Sequence, residues 1–152
     1  MYQPKGELLC FEHFELPRRC NSIRALLEAF VAIDRQWLEE YPSTPLLYQA
    51  VPKYIIKPRP LNLDSWQDIP RTIQLQTGDC KDFACWRVAE LRHSGKVTDC
   101  APFIKTAVIP DPQGIRPPMT VYHIIVRIED RFEDPSAILG MPTNIGYNDI
   151  AQ

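Results

Sequence analysis

The sequence predicts an α+β domain, and three observations predict it. A proline-free stretch repeats apolar residues every three or four positions, a second helical stretch opens on a polar run around a cysteine and stops at a glycine, and two alternating apolar runs follow as an antiparallel strand pair. A length of 152 residues suits one domain. With 45% hydrophobic and 24% charged residues, a chain of this size builds its own core without staples.

Taken in order, Glu7 to Leu16 reads as a strand with imperfect alternation. From Asn21 to Glu40 the residues Ile23, Leu26, Leu27, Phe30, Ile33, Trp37 and Leu38 define an amphipathic helix, with Asn21 placed as its N-cap. Six of the 15 prolines then fall between Tyr41 and Pro70, where each removes a backbone donor and fixes φ. Leu46, Leu47, Tyr48, Val51, Tyr54, Ile55, Ile56 and Trp66 carry too much apolar surface for a linker, so the interval reads as an ordered, irregular wrap over the core.

The next helix runs from Cys80 to about His93 and ends at Gly95. Asp79 is its N-cap and Asp82 falls at N3, an acidic capping box. Ala101–Ile109 and Met119–Ile128 are the strands, joined by a proline-rich loop, and Arg131–Asp134 is a short return strand after a Glu129-Asp130 turn. Period two puts His123, Ile125 and Arg127 on one face. A two-residue turn sets Ile128 opposite Arg131 and Asp134 opposite Ile125, hence Asp134 on the His123 face and diagonal to it.

A formal charge of -2 gives no broad positive field, which argues against nucleic acid and anionic lipid as partners. No apolar run approaches the roughly 20 residues that span a bilayer, and MYQPKGELLC lacks a signal-peptide layout. No membrane is expected, and the cytoplasm of the producing cell is the expected location. The five cysteines, Cys10, Cys20, Cys80, Cys85 and Cys100, are an odd number without framework spacing. Cys80 and Cys85 lie five apart, about 140° round a helix, and cannot share an ion. Neither a metal nor a cofactor is expected, and Cys85 and Cys100 read as core residues.

Cys80 would occupy N1, where unpaired N–H groups and the helix dipole favour a thiolate, while Asp79 and Asp82 oppose it. A histidine would decide that balance. His123 can supply it and Asp134 can orient the imidazole, whereas His13 and His93 read as surface residues. Cysteine, histidine and carboxylate in this arrangement resemble the transglutaminase-like cysteine superfamily, on Gly78-Asp79-Cys80-Lys81-Asp82-Phe83-Ala84, Tyr122-His123 and Glu133-Asp134-Pro135-Ser136. The run GDCKDFACWRVAELR followed by EDPSAILGM is similar to short transglutaminase-like proteins of tailed phages and prophages, over about Trp66 to Met141.

The resemblance implies a papain/transglutaminase-like core, with the nucleophile helix packed on an antiparallel sheet. On that reading the single domain comprises residues 1–65 as N-terminal helix and wrap, 66–141 as catalytic core and 142–152 as tail. Cys80 would attack a carboxamide or peptide carbonyl, His123 would take and return the proton, and Asp134 would hold the imidazole. Water then gives hydrolysis or deamidation, and an amine gives cross-linking. The Cys80 N–H is one oxyanion donor, with Gln74 or Trp66 as candidates for the other. Arg87, on the Cys80 face of its helix, reads as a partly buried ion pair and secondarily as a substrate contact. The substrate expected is a protein or peptide-like molecule. The competing expectation is a structural or assembly component of a phage virion with an idle triad, in which Cys10 or Cys20 could link chains.

Overall fold

The structure, a computed structural model, describes residues 20–57, 64–111 and 113–142. Helix α1 (Cys20–Glu40) forms on the proline-free stretch and buries Leu27, Val31, Asp34 and Leu38, spaced four, three and four. Two details differ from the sequence reading. The helix already includes Cys20, so Asn21 lies inside it and is not the cap. Ile33 is 48% exposed, because six residues beyond Leu27 is about 240° round the helix, off the buried stripe. The strand expected at Glu7–Leu16, together with Cys10 and His13, lies outside the described residues.

The proline-rich interval is built from short pieces. Trp37 stacks on Tyr41 with ring centroids 4.1 Å apart, and its indole N–H donates to Thr44 Oγ1 at 3.0 Å, which fixes the exit from α1. Helix α2 (Leu47–Ala50), strand β1 (Lys53–Tyr54), helix α3 (Ile69–Leu75) and strand β2 (Thr77–Gly78) follow. Strands β1 and β2 pair in parallel, Lys53 with Thr77 and Tyr54 with Gly78. Asp68 caps α3 by accepting the Arg71 N–H at 3.0 Å, and Pro70 sits in its first turn where no donor is needed. Elements of two to seven residues leave no readable period.

Helix α4 (Cys80–Ser94) ends at Gly95, whose φ of 68° is the left-handed cap that glycine adopts without strain. Strands β3 (Cys100–Ile109), β4 (Met119–Ile128) and β5 (Arg131–Glu133) form an antiparallel sheet in the order β3-β4-β5, and helix α5 (Pro135–Ile138) closes the described chain. Ile128 pairs with Arg131 across the two-residue turn, as the spacing predicts. The return strand stops one residue early, at Glu133, because Asp134 turns to cap α5. Leu27 and Val31 of α1, Phe83, Trp86, Val88 and Ala89 of α4, and Ile124, Val126 and Ile128 of β4 make one buried cluster. The protein is therefore α+β, with α4 between α1 and the sheet. No helix of the described residues is long and apolar enough to cross a membrane.

Asp34 stands in the buried stripe of α1. Its Oδ1 accepts the Ile69 N–H at 2.9 Å, so it ties the start of α3 to α1. Burial raises its pKa well above the ordinary 3.8, against the Ile69 hydrogen bond that lowers it. The folded protein thus holds this proton at pH values where the unfolded chain has lost it, and the Asp34 contribution to stability declines as pH rises above about 4. Asn keeps the acceptor and removes the titration. D34N is expected to flatten the fall in melting temperature between pH 5 and pH 8, whereas D34A, which orphans the Ile69 donor, is expected to cost about 1–3 kcal/mol at both. Thermal denaturation at the two pH values checks both.

Candidate active site

The N-terminus of α4 is fixed by close packing and by charge. Gly78 lies against the buried Phe83 ring, and a Cβ there would stand 2.6 Å from Phe83 Cε1. Only glycine lets the chain enter α4 this close to its own core. Asp82, at N3, accepts the Asp79 N–H on Oδ2 at 3.0 Å, as the capping-box spacing predicts. Its other oxygen accepts the Gln67 N–H at 2.9 Å. Lys57 reaches in from the segment after β1, with Nζ 2.5 Å from Asp82 Oδ2 and 3.9 Å from Asp79 Oδ2. Lys81 pairs with Asp79 and with Asp64 at 3.0 Å, and its ammonium lies 5.6 Å from the Trp66 ring.

Three carboxylates (Asp64, Asp79, Asp82) and two ammonium groups (Lys57, Lys81) thus form one cluster at the start of α4, of which Asp79, Lys81 and Asp82 act on the Cys80 sulfur. Sequence reasoning missed this cluster. The run Asp79-Cys80-Lys81-Asp82 has the composition of a solvated turn, yet Asp79, Lys81 and Asp82 are all buried, and Lys57 is distant in sequence.

Strand β4 delivers the histidine. His123 is 2% exposed, and its Nε2 lies 2.8 Å from Asp134 Oδ2. Asp134 Oδ1 meanwhile accepts the Ser136 and Ala137 N–H groups at 3.1 and 3.2 Å, so one carboxylate both caps α5 and orients the imidazole. Burial works to raise the Asp134 pKa, but the His123 contact and the two backbone donors outweigh it and hold the carboxyl below its ordinary value. An ionised carboxylate only accepts hydrogen bonds, so Nε2 carries the hydrogen and the buried Nδ1 carries the lone pair of the neutral ring. That tautomer is the one a base needs.

Cys80 meets the same strand at its edge. The Glu129 N–H donates to Asp99 O at 2.8 Å on the β3 side, so by the period of two the odd-numbered amides of β4 face β3 and the even-numbered ones face away. Strand β5 covers β4 only from Val126 to Ile128. The Ile124 amide falls just past that cover, near enough to the Cys80 sulfur to lower its pKa. Ile124, Val126 and Ile128 face the α4 core, and His123 belongs to the alternate set. At a strand edge, unlike over a face, both sets are within reach of a helix end.

Burial pushes the half-buried Cys80 thiol up, and Asp79 adds to it, against the Ile124 amide and Lys81, to about 12. The helix end therefore does not make a resting thiolate. Chemistry at this sulfur requires a base that removes the proton as the sulfur attacks.

Among the other residues singled out by sequence, Gln74 is exposed on α3, with its carbonyl oxygen accepting from Arg71 at 2.7 Å. Trp66 is half-buried between Phe30, 5.3 Å away, and Lys81. Arg87 makes the ion pair expected of it, with Glu133 at 2.7 Å and Glu90 at 3.2 Å. His93 is exposed, and Cys85 and Cys100 are buried. The Cys80 N–H, at the first position of α4, is one of the amides to which the helix itself offers no acceptor. Two hollows of about 500 and 430 Å³ lie along the solvent side of α1 and contain none of these residues. No family model, curated protein or solved structure matches the chain.

Two outcomes follow from this geometry. G78A is expected to lose about 1–3 kcal/mol, because the Phe83 ring has no free volume to enter, and the melting temperature should fall by several degrees. In H123A, with the base removed, alkylation of Cys80 should climb roughly tenfold per pH unit up to the alkaline limit of the measurement, as expected where only the rare thiolate reacts. Peptide mapping by mass spectrometry across a pH series reads this for each cysteine.

Proposed function

We propose that the chain is a thiol-dependent acyl-transfer enzyme with a papain/transglutaminase-like core, acting on a carboxamide or peptide bond through Cys80, His123 and Asp134. The observation that carries it is the His123–Asp134 hydrogen bond, on the strand whose next residue, Ile124, lies near the Cys80 sulfur at the start of α4. His123 Nδ1 takes the thiol proton as the sulfur adds to the carbonyl carbon. The oxyanion is met by the Cys80 N–H, and the imidazolium, stabilised by Asp134, returns its proton to the departing amine or ammonia. A thioester to Cys80 remains. Water or an amine, deprotonated by His123, then attacks it and restores the thiol.

A second reading, a phage structural component with an idle triad, is favoured by the surroundings of the thiol: burial, and then the Asp79 carboxylate, push the Cys80 pKa up to about 12. A single experiment separates the two. The protein is incubated with a panel of glutamine- and amide-bearing peptides, with and without a primary amine, and intact-mass spectrometry follows thioester formation and product. The enzyme reading expects a thioester on Cys80, none in C80A, and a rate at least about a thousandfold lower in H123A and D134N. Equal alkylation of Cys80 in the wild-type protein and in H123A at neutral pH would sink it.

A further inference from the structure

The residue before Asp134 is held as firmly as Asp134 itself, and from the opposite side of the sheet. Glu133 pairs with Val126, so it faces the α4 core, while Asp134 turns to His123. Arg87 grips Glu133 with two donors, Nε to Oε1 at 2.7 Å and Nη2 to Oε2 at 3.5 Å, and its third nitrogen reaches Glu90 Oε2 at 3.2 Å. The Tyr48 hydroxyl donates to Glu133 Oε1 at 2.5 Å, and the Arg87 guanidinium lies 5.1 Å from the Tyr48 ring. Glu90 Oε1 accepts the Leu47 N–H, which closes the network on α2. Arg87 stands seven residues after Cys80, about 700° and so nearly two full turns, on the same face of α4.

We propose that Arg87 and Glu133 are positioning residues for the catalytic centre. They lock the helix that carries the nucleophile to the strand end that carries the orienting carboxylate, and so set where Asp134 holds His123 relative to Cys80. The inference rests on the acyl-transfer reading and assigns this pair no contact with substrate.

A connection through backbone suits the geometry. Strand β5 has only three residues, too few for its own ladder to define where Asp134 lies. A bidentate arginine–carboxylate pair fixes both direction and distance, which a single lysine contact does not. Two further features agree with a formed ion pair. Against burial, Glu133 holds the Arg87 pKa above its usual value, and against burial Arg87 and Tyr48 hold the Glu133 pKa below its usual value. A one-residue slip of β5 would exchange the two carboxylates between faces. The clamp opposes that slip.

The test uses the full chain and needs no substrate. Alkylation of Cys80 by iodoacetamide at neutral pH is measured in the wild-type protein, H123A, E133A, E133Q, D134N and E133A/D134N, with melting temperatures alongside. E133A is expected to slow Cys80 several-fold, while E133Q, which keeps an acceptor for Arg87 and Tyr48, recovers most of the rate. In the D134N background the same E133A change is expected to alter the rate less than about twofold, because a residue acting through Asp134 has nothing left to position. A purely structural role predicts the same factor in both backgrounds. That result, or a wild-type rate in E133A, overturns the inference. R87K, which keeps the charge but loses the fork, gives the same comparison if E133A does not fold. Should H123A react like the wild-type protein, the acyl-transfer reading and this inference fall together; should H123A be slow and E133A fast, only the inference falls.

Discussion

Helix α4 is buried along most of its length, yet it carries Lys81, Asp82, Arg87 and Glu90, and the pairing of those charges dictates what surrounds it. An ion taken out of water without a partner costs several kcal/mol, and removing one partner from a buried pair costs roughly 3–5 kcal/mol. Each charge on α4 therefore recruits a group from another element. Lys57 comes from beyond β1, Asp64 and Gln67 from the segment before α3, Glu133 from β5, and the Leu47 amide from α2. The described parts of the segment from Tyr41 to Pro70 are held against the core by these contacts more than by any ladder of their own, since β1 and β2 contribute only two residue pairs.

The same pairing sets the chemistry of Cys80. A helix N-terminus alone would lower a thiol pKa, an effect of a few tenths to about 2 kcal/mol. Here burial, and then Asp79, overcome it. A preformed thiolate would have to persist beside the Asp79 and Asp82 carboxylates, whereas a neutral thiol meets them at no such cost. If the site performs acyl transfer as proposed, it needs a base of the right tautomer at the moment of attack, and the hydrogen bond to an ionised Asp134 favours that tautomer. On the proposed acyl-transfer reading, two tasks that a thiolate–imidazolium pair would combine are separated: the nucleophile is kept at rest by its surroundings, and it is activated by one residue on the neighbouring strand.

The parts of this architecture that were legible in the sequence are those with a period. The register of β4 and β5 followed from a two-residue turn and strict alternation, and it placed Asp134 beside His123 correctly even though the strand ends at Glu133. Helix α4 was readable because Asp79, Asp82 and Gly95 mark its ends chemically. Its burial was not. Lys81, Asp82 and Glu90 are read as solvent-facing from any local window, and it takes partners 15 to 43 residues away in sequence, besides the local Asp79 and Arg87, to make their burial tolerable. Ile33 failed for a related reason: its polarity places it inside, while the helix phase buries its neighbour Asp34, which accepts the Ile69 N–H at the start of α3.

The location of the candidate site follows from the brevity of β5. A longer third strand would have taken the Ile124 amide into its ladder and covered the edge where Cys80 arrives. Because β5 gives way after Glu133 to a helix capped by Asp134, one change of direction achieves three things. It leaves the Ile124 amide for the sulfur, swings the Asp134 carboxylate onto the His123 face, and leaves Glu133 on the α4 face for Arg87. Proline at position 135 favours that change of direction, since it has no N–H to extend a ladder and its fixed φ suits the first turn of a helix. The local chemistry of Glu133-Asp134-Pro135 thereby does the work of placement that, in a larger sheet, several strands would share.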